Sequence, residues 1–191
     1  MRDRKILNAA TRLFYERGFD AVGVDELGEA AGVSGPAIYR HFAGKDEILS
    51  TLFDEAMDRL LLLVPVPTDD PFHDLEALVR AQAEFSLTDS ALVSIYARED
   101  RSLSTDSRRR LARRQRQHVD RWVDVLSRCY PERATSELVT TAFATIGLLL
   151  SAAYWPHDAR NVDDLPGLLV SIGLGALAGT EQRPEDLAPA H

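Results

Sequence analysis

Residues 24–47 read Val-Asp-Glu-Leu-Gly-Glu-Ala-Ala-Gly-Val-Ser-Gly-Pro-Ala-Ile-Tyr-Arg-His-Phe-Ala-Gly-Lys-Asp-Glu. The stretch holds two short helical runs punctuated by glycine. Leu27, Ala30 and Ala31 share a face of a helix over 24–31, and Gly32 ends it. Ser34 is an N-cap candidate, and Pro36 sits at a helix start, where its missing N–H costs nothing. This third helix is expected to run to about His41, and a long fourth from about Lys45 to Leu63. Upstream, Ile6, Leu7, Ala10, Leu13 and Phe14 recur at helical steps before Gly18. A supporting helix, a tight turn and a short second helix make a helix-turn-helix, which presents a helix end to the major groove. Ala30-Ala31-Gly32-Val33-Ser34 fits the turn: small residues allow close packing, Gly32 takes a left-handed conformation, and Val33 plugs the core. The same five residues also suit an ordinary helix corner in an all-α protein.

Outward from this segment the pattern stays helical. Three prolines in Val64–Pro71 interrupt it. Periodicity resumes over 75–85, 89–101, 107–129, 137–155 and 165–178, with a polar joint at 102–107 and a frayed tail at 180–191. No alternating strand pattern and no internal repeat is present. The 18 residues from Leu138 to Trp155 carry no charge, at the lower edge of membrane-span length, but Thr140, Thr141, Thr145 and Ser151 interrupt them. An interface helix is the expectation here, and no membrane partner is expected.

The 191 residues suffice for one large or two small domains, and 22 basic against 30 acidic residues give a net charge of −8. That balance argues against a general polyanion binder but not against one small DNA-reading unit on an acidic body. Cys129 is the single cysteine, which excludes a disulfide framework and a multi-cysteine zinc site. The five histidines lie far apart, so no metal site is expected. No Gly-rich phosphate loop or G-x-S-x-G nucleophile occurs, so neither a cofactor nor an enzyme is expected. The charged N-terminal segment has no secretory pattern, which reads as cytoplasmic.

The N-terminal quarter resembles the TetR family of bacterial transcriptional repressors. The resemblance rests on Ile6-Leu7, Ala9-Ala10, Leu13-Phe14, Gly18-Phe19, Val24, Leu27, Ala30 to Ser34, Ile38-Tyr39, His41-Phe42, Lys45-Asp46-Glu47 and Leu49. It implies an all-α fold, with a three-helix helix-turn-helix domain over residues 1–46 and a helical bundle over 47–191 that dimerises and binds ligand. It implies a DNA-binding regulator released from a palindromic operator by a small-molecule effector, such as a lipid or acyl-CoA. An all-α small-molecule binder or enzyme without DNA binding is the alternative.

The resemblance implies that Tyr39 and Arg40 reach phosphate or base edges, and that Ala37 meets a thymine methyl. Lys45 would hold a phosphate at its helix start. Ser34 would cap the third helix and contact DNA backbone, and Gly35 and Pro36 would allow close backbone approach. Arg2, Arg4 and Lys5 would form a basic arm, either solvated or on phosphate. Two residues depart from the family pattern: Gly23 where a Ser or Thr usually caps the second helix, and Gly28 where Ala is usual. Gly28 lowers helix propensity by about 1 kcal/mol.

For the effector, Met57, Phe85, Tyr96, Trp122, Leu126, Phe143, Gly147 and Tyr154 are apolar or aromatic pocket candidates on the middle helices, with plain core as the competing and commoner use of such residues. Nine arginines stand against four acids between Arg98 and Arg121, either as a solvated face or as an anion site for a phosphate-bearing effector. Tyr96 to Leu103 followed by this basic helix and Trp122 resembles an actinobacterial branch linked to lipid and acyl-CoA catabolism. Cys129 is read as a buried structural thiol rather than an oxidant sensor.

Overall fold

The protein is described from a computed structural model that covers residues 2–64 and 66–179. Ten α-helices are present among the described residues, and no strand. They are α1 (Arg2–Arg17), α2 (Val24–Ala31), α3 (Gly35–Ile38), α4 (Lys45–Leu63), α5 (Pro71–Thr88), α6 (Ser90–Glu99), α7 (Thr105–Cys129), α8 (Thr135–Ser151), α9 (His157–Arg160) and α10 (Leu165–Gly179). Single 3-10 turns follow α6 and α8. The tail expected to fray, residues 180–191, lies outside the described residues.

Local chemistry explains where the helices differ from the sequence expectation. α1 begins at Arg2, so Arg4 and Lys5 sit on its first helical turn rather than on an arm. Asp3 favours that start, because an acid complements the positive end of the helix dipole. α3 ends at Ile38, three residues early. The amides of Arg40 and His41 turn back to Ala37 and Ile38 at 3.3 and 2.8 Å, so the chain tightens and Tyr39 and Arg40 follow the helix. α7 starts two residues early because the Ser104 hydroxyl accepts from the Ser107 amide, an N-cap the reading missed.

The chain groups into two compact units. One runs to Leu61 and takes in Asp89–Arg116; the other holds Leu62–Thr88 and the described residues from Gln117 onward. In the first, α1 packs on α2 and α6, and α2 on α3. Ile6 and Phe14 of α1, Leu27 of α2, Ile38 of α3 and Ile48 and Leu49 of α4 are fully buried there, each worth about 1.5–3 kcal/mol.

In the second, α5, α8 and α10 pack on one another around Leu75, Val79, Trp122, Leu126, Leu149 and Leu169. The buried carboxylate of Asp74 accepts from Thr68 and from Arg128 at 2.6 Å, fastening the loop before α5 to the end of α7. Cys129 Sγ lies 3.2 Å from the Pro71 carbonyl, and burial pushes its thiol up to about 11 against the pull of Arg128. The thiol therefore stays protonated at neutral pH, which disfavours oxidant chemistry.

The turn between α2 and α3 closes as a Schellman motif. Gly32 takes φ 69°, ψ 35°; its amide bonds Glu29 O at 3.1 Å and that of Val33 bonds Gly28 O at 2.8 Å. The turn backbone then lies directly on α2: a Cβ at Gly28 would stand 2.9 Å from Val33 O and 3.0 Å from Gly35 N. Gly28 thus gives up helix propensity so that the turn can close. Gly28→Ala is expected to lose more to this overpacking, about 1–3 kcal/mol, than the roughly 1 kcal/mol it gains in propensity. Urea denaturation should show a lowered midpoint; a raised one would contradict the close-approach reading.

Candidate nucleic-acid interface and effector core

The turn leaves one set of side chains outward. Tyr39 is 58% exposed, and Ser34, Pro36 and Arg40 are exposed beside it. Ser34 occupies the N-cap position of α3, yet its hydroxyl makes no cap hydrogen bond, so the expected capping role is not performed by the side chain. Ala37 is half-buried. Gly35 is buried and faces Asp25 of α2, which places it in the packing of the motif rather than on its outer surface.

Lys45 is half-buried and turned inward. Its ammonium donates to Phe19 O at 3.0 Å and Val22 O at 3.5 Å, and lies 4.3 Å from the centroid of the Phe19 ring. In this structure the ammonium clamps the loop between α1 and α2. The reason is local: that loop has few partners of its own, and a cation at the start of α4 satisfies two of its carbonyls.

Two further residues hold the same region. Glu99 accepts from the Phe19 amide at 3.2 Å, and Arg98 donates to Tyr15 O at 2.9 Å and Phe14 O at 3.3 Å. Both polar groups of the Phe19 backbone are thus held, one by α4 and one by α6. Sequence reasoning left Arg98 between a solvated face and an anion site and did not single out Glu99. The available signal was a charge pair ending an amphipathic helix. Arg4 pairs with Glu55 at 2.7 Å, while Lys5 is exposed.

The arginine-rich stretch divides in two. Arg108 donates to the carbonyls of Asp100, Arg101 and Leu103. Arg110 pairs with Asp54 at 2.9 Å, and Arg114 pairs with Asp54 and Asp58. Arg109, Arg113 and Arg116 are exposed along one line of α7. Of the nine arginines between Arg98 and Arg121, only Arg110 lines a described cleft, an open one of about 860 Å³. There Asp20, Asp46 and Glu47 stand against Lys45 and Arg110. The acids outnumber the bases, so the cleft does not suit an anion.

The pocket candidates fall in both units. Met57 and Tyr96 belong to the first unit, with Met57 buried and Tyr96 half-buried against Phe53. Phe85, Trp122 and Leu126 are buried in the second. Phe143 and Tyr154 are 59% and 52% exposed, and Gly147 is exposed between them. Those three lie on the outer face of α8 and the turn after it, opposite Leu138, Ala142, Ile146 and Leu149. Their apolar character, read from sequence as pocket lining, faces outward because the helix is apolar on both sides. Among the described residues no group of three His, Cys, Asp or Glu side chains could hold a metal.

Residues 6–52 match the profile of the bacterial regulatory proteins of the tetR family, and residues 68–158 match that of the tetracyclin repressor-like C-terminal domain. With both profiles along one chain and this helix-turn-helix geometry, the protein belongs to the TetR family of DNA-binding transcriptional regulators.

It is 28% identical over 163 residues to the HTH-type transcriptional activator FasR of Mycolicibacterium smegmatis, covering 83% of this chain and 74% of that protein. It is 31% identical over 127 residues to the HTH-type transcriptional repressor KstR2 of Mycobacterium tuberculosis, covering 64% of each, so the match spans just under two thirds of that relative. The crystal structure of AibR in complex with isovaleryl coenzyme A and operator DNA superposes with a TM-score of 0.76 at 21% identity, over 90% of this chain and 97% of that one.

The structure separates two kinds of interface residue. Tyr39→Ala is expected to leave the unfolding midpoint unchanged, since its ring is outward. Lys45→Met should cost about 1.5–3 kcal/mol, because two carbonyls lose a charged donor. Urea denaturation of both variants checks this; equal stabilities would show that the Lys45 clamp contributes nothing.

Proposed function

We propose that this protein is a homodimeric repressor that binds a palindromic operator through the exposed set after the Gly32 turn and leaves it when a small molecule binds. The carrying observation is that turn: its closure buries Gly35 and Ile38 while leaving Ser34, Pro36, Tyr39 and Arg40 outward on one short segment. Tyr39 and Arg40 take base edges or phosphate, Ser34 and Lys5 take phosphate, and Pro36 and Ala37 meet sugar or thymine methyl. Gly35, Arg4 and Lys45 hold the motif in shape, and Lys45, at the start of α4, also takes a phosphate. Residues 1–46 form the DNA-reading domain and 47–191 the dimerising, ligand-binding one.

A palindromic operator needs a twofold protein. The outer faces of α8 and α10 support one: Phe143, Ala144 and Gly147 on α8, and Leu168, Ile172 and Gly175 on α10, are exposed and uncharged. The Thr135–Tyr154 segment is also long and apolar enough to cross a membrane by length and composition. Its inward face packs on α5 and α10, which favours a second copy over lipid. The protein then works in the cytoplasm as a regulator and not as an enzyme.

The effector reading draws on AibR, whose structure holds isovaleryl coenzyme A, and on the apolar core of the second unit. The effector proposed is a lipid-like or acyl-coenzyme A molecule. Effector binding favours a dimer whose recognition segments no longer match the half-site spacing.

The test is selection of duplexes from a random pool, followed by anisotropy titration and light scattering. The recovered sequence should be palindromic, the protein dimeric, and Phe143→Asp monomeric, because a charge buried without a partner costs several kcal/mol. Operator affinity of that variant should fall at least about a hundredfold, matching a loss of some 3 kcal/mol. A stable Phe143→Asp dimer with full affinity would move the interface off this face; no selected sequence at all would remove the DNA-binding reading.

A further inference from the structure

The segment that follows the Gly32 turn reads Ser34-Gly35-Pro36-Ala37-Ile38-Tyr39-Arg40-His41. Each base pair presents its own pattern of donors, acceptors and methyl in the major groove, and each side-chain type answers only part of it. Asn and Gln take adenine by two bonds, Asp and Glu accept from the cytosine amine, and Arg gives two bonds to guanine N7 and O6. No Asn, Gln, Asp or Glu occurs between Ser34 and His41. The segment therefore has no two-point reader of adenine and no carboxylate for cytosine.

The structure narrows the set further. Ile38 is fully buried. Gly35 is closed over by Asp25, whose carboxylate oxygen would stand 2.0 Å from an added Cβ. His41 turns back to α1, with Nδ1 2.6 Å from the Asp3 carboxylate. The hydroxyls of Ser34 and Tyr39 both donate and accept, so they do not tell one base edge from another. Arg40 is exposed, with no ion-pair partner among the described residues, whereas Arg4 and Arg17 of α1 are held by Glu55 and Glu26. The amides of Arg40 and Phe42 return to the Ala37 and Ile38 carbonyls at 3.3 and 2.9 Å, so the chain keeps a helical course past Ile38. Arg40 then shares a side with Pro36 and Ala37, four and three residues before it. The side chains of Pro36 and Ala37 carry no polar atom, so against a base edge they can only pack.

We propose that Arg40 is the specificity-determining residue of this segment, taking one guanine of each operator half-site through N7 and O6, and that beside it a thymine methyl packs on Pro36 and Ala37. The assignment rests on the proposed function in one respect: this segment lies in the major groove. The guanidinium fork matches two acceptors at once, and a wrong base leaves a charged donor unanswered. Phosphate falls to the single-point donors Ser34, Tyr39, Lys5 and Lys45, which need no fork. The half-site is then sparse in hydrogen-bond information at this segment: one guanine, with thymine next to it recognised by its methyl alone.

The test uses the duplex recovered by selection, with base analogues placed in both half-sites, and reads anisotropy titrations of the full-length protein and of Arg40→Ala. Replacing the guanine by 7-deazaguanine removes the N7 acceptor and should lower wild-type affinity at least about fivefold. Hypoxanthine keeps N7 and O6 and should leave affinity unchanged. Deoxyuridine in place of the thymine deletes only the methyl and should lower affinity about threefold. Arg40→Ala should bind guanine and 7-deazaguanine alike and, in a repeated selection, lose base preference at that position only. A selected half-site without a fixed guanine, or a wild type indifferent to 7-deazaguanine or to deoxyuridine, would overturn the assignment. So would an Arg40→Ala loss spread evenly over all sequences with a smaller salt slope, which is the signature of a phosphate contact. Any of those results with a selected operator leaves the proposed function standing. No selected duplex at all removes the DNA-binding reading, and this assignment with it.

Discussion

Both polar groups of the Phe19 peptide are held by charged side chains, and the DNA-reading motif depends on that constraint. Glu99 takes the amide and Lys45 the carbonyl. The loop from Gly18 to Gly23 has only one backbone hydrogen bond within it, Val22 N to Phe19 O. Left to itself it would be free to change the angle between α1 and α2. With a carboxylate on one side and an ammonium on the other, its ends are tied to α6 and α4 instead. Arg98 completes the tie at the last turn of α1. α2 then has a fixed start, and the Gly32 turn converts that start into a fixed direction for the segment bearing Tyr39 and Arg40. A motif that reads DNA must hold its side chains before contact, since each degree of freedom lost on binding weakens the complex.

Arginine has two uses in this chain. Arg98, Arg108, Arg110 and Arg114 fasten helices through carbonyls and carboxylates, using the several donors of the guanidinium fork. Exposed pairs of this kind contribute little singly. Here they fix three elements: Arg98 holds the end of α1, Arg108 the turn after α6, and Arg110 and Arg114 hold α4. Arg109, Arg113 and Arg116 face outward on α7 and do none of this. The acid excess of the whole chain therefore coexists with a cationic line on one helix, and net charge alone would have hidden it.

The glycines and helix periods made most of the fold legible. Gly18 and Gly32 both adopt positive φ, and α2 and α4 run as their spacing indicates. What the sequence could not show was direction. Phe143, Gly147 and Trp122 read alike as apolar helix residues, yet Trp122 is fully buried while the other two face out, because α8 is apolar on both sides. Lys45 looked like a phosphate ligand because a cation at a helix start suits one. Its actual partners are carbonyls 23 and 26 residues away, a pairing no local pattern encodes. Gly28 stood out as a weakness of α2, and only the turn lying against it gave the glycine a purpose. The buried contact of His118 Nε2 with the Gln82 amide, at 2.9 Å between α7 and α5, was invisible for the same reason: 36 residues separate the two.

The central claim is that the segment following the Gly32 turn is the surface that meets DNA. Hydrogen exchange with mass-spectrometric readout, with and without the selected operator duplex, addresses it directly. The account predicts that slowed exchange on DNA binding concentrates in peptides covering Ser34–Lys45, with α5 and α10 unchanged. Protection confined to α7, around Arg109, Arg113 and Arg116, with none at Tyr39 and Arg40, would contradict it.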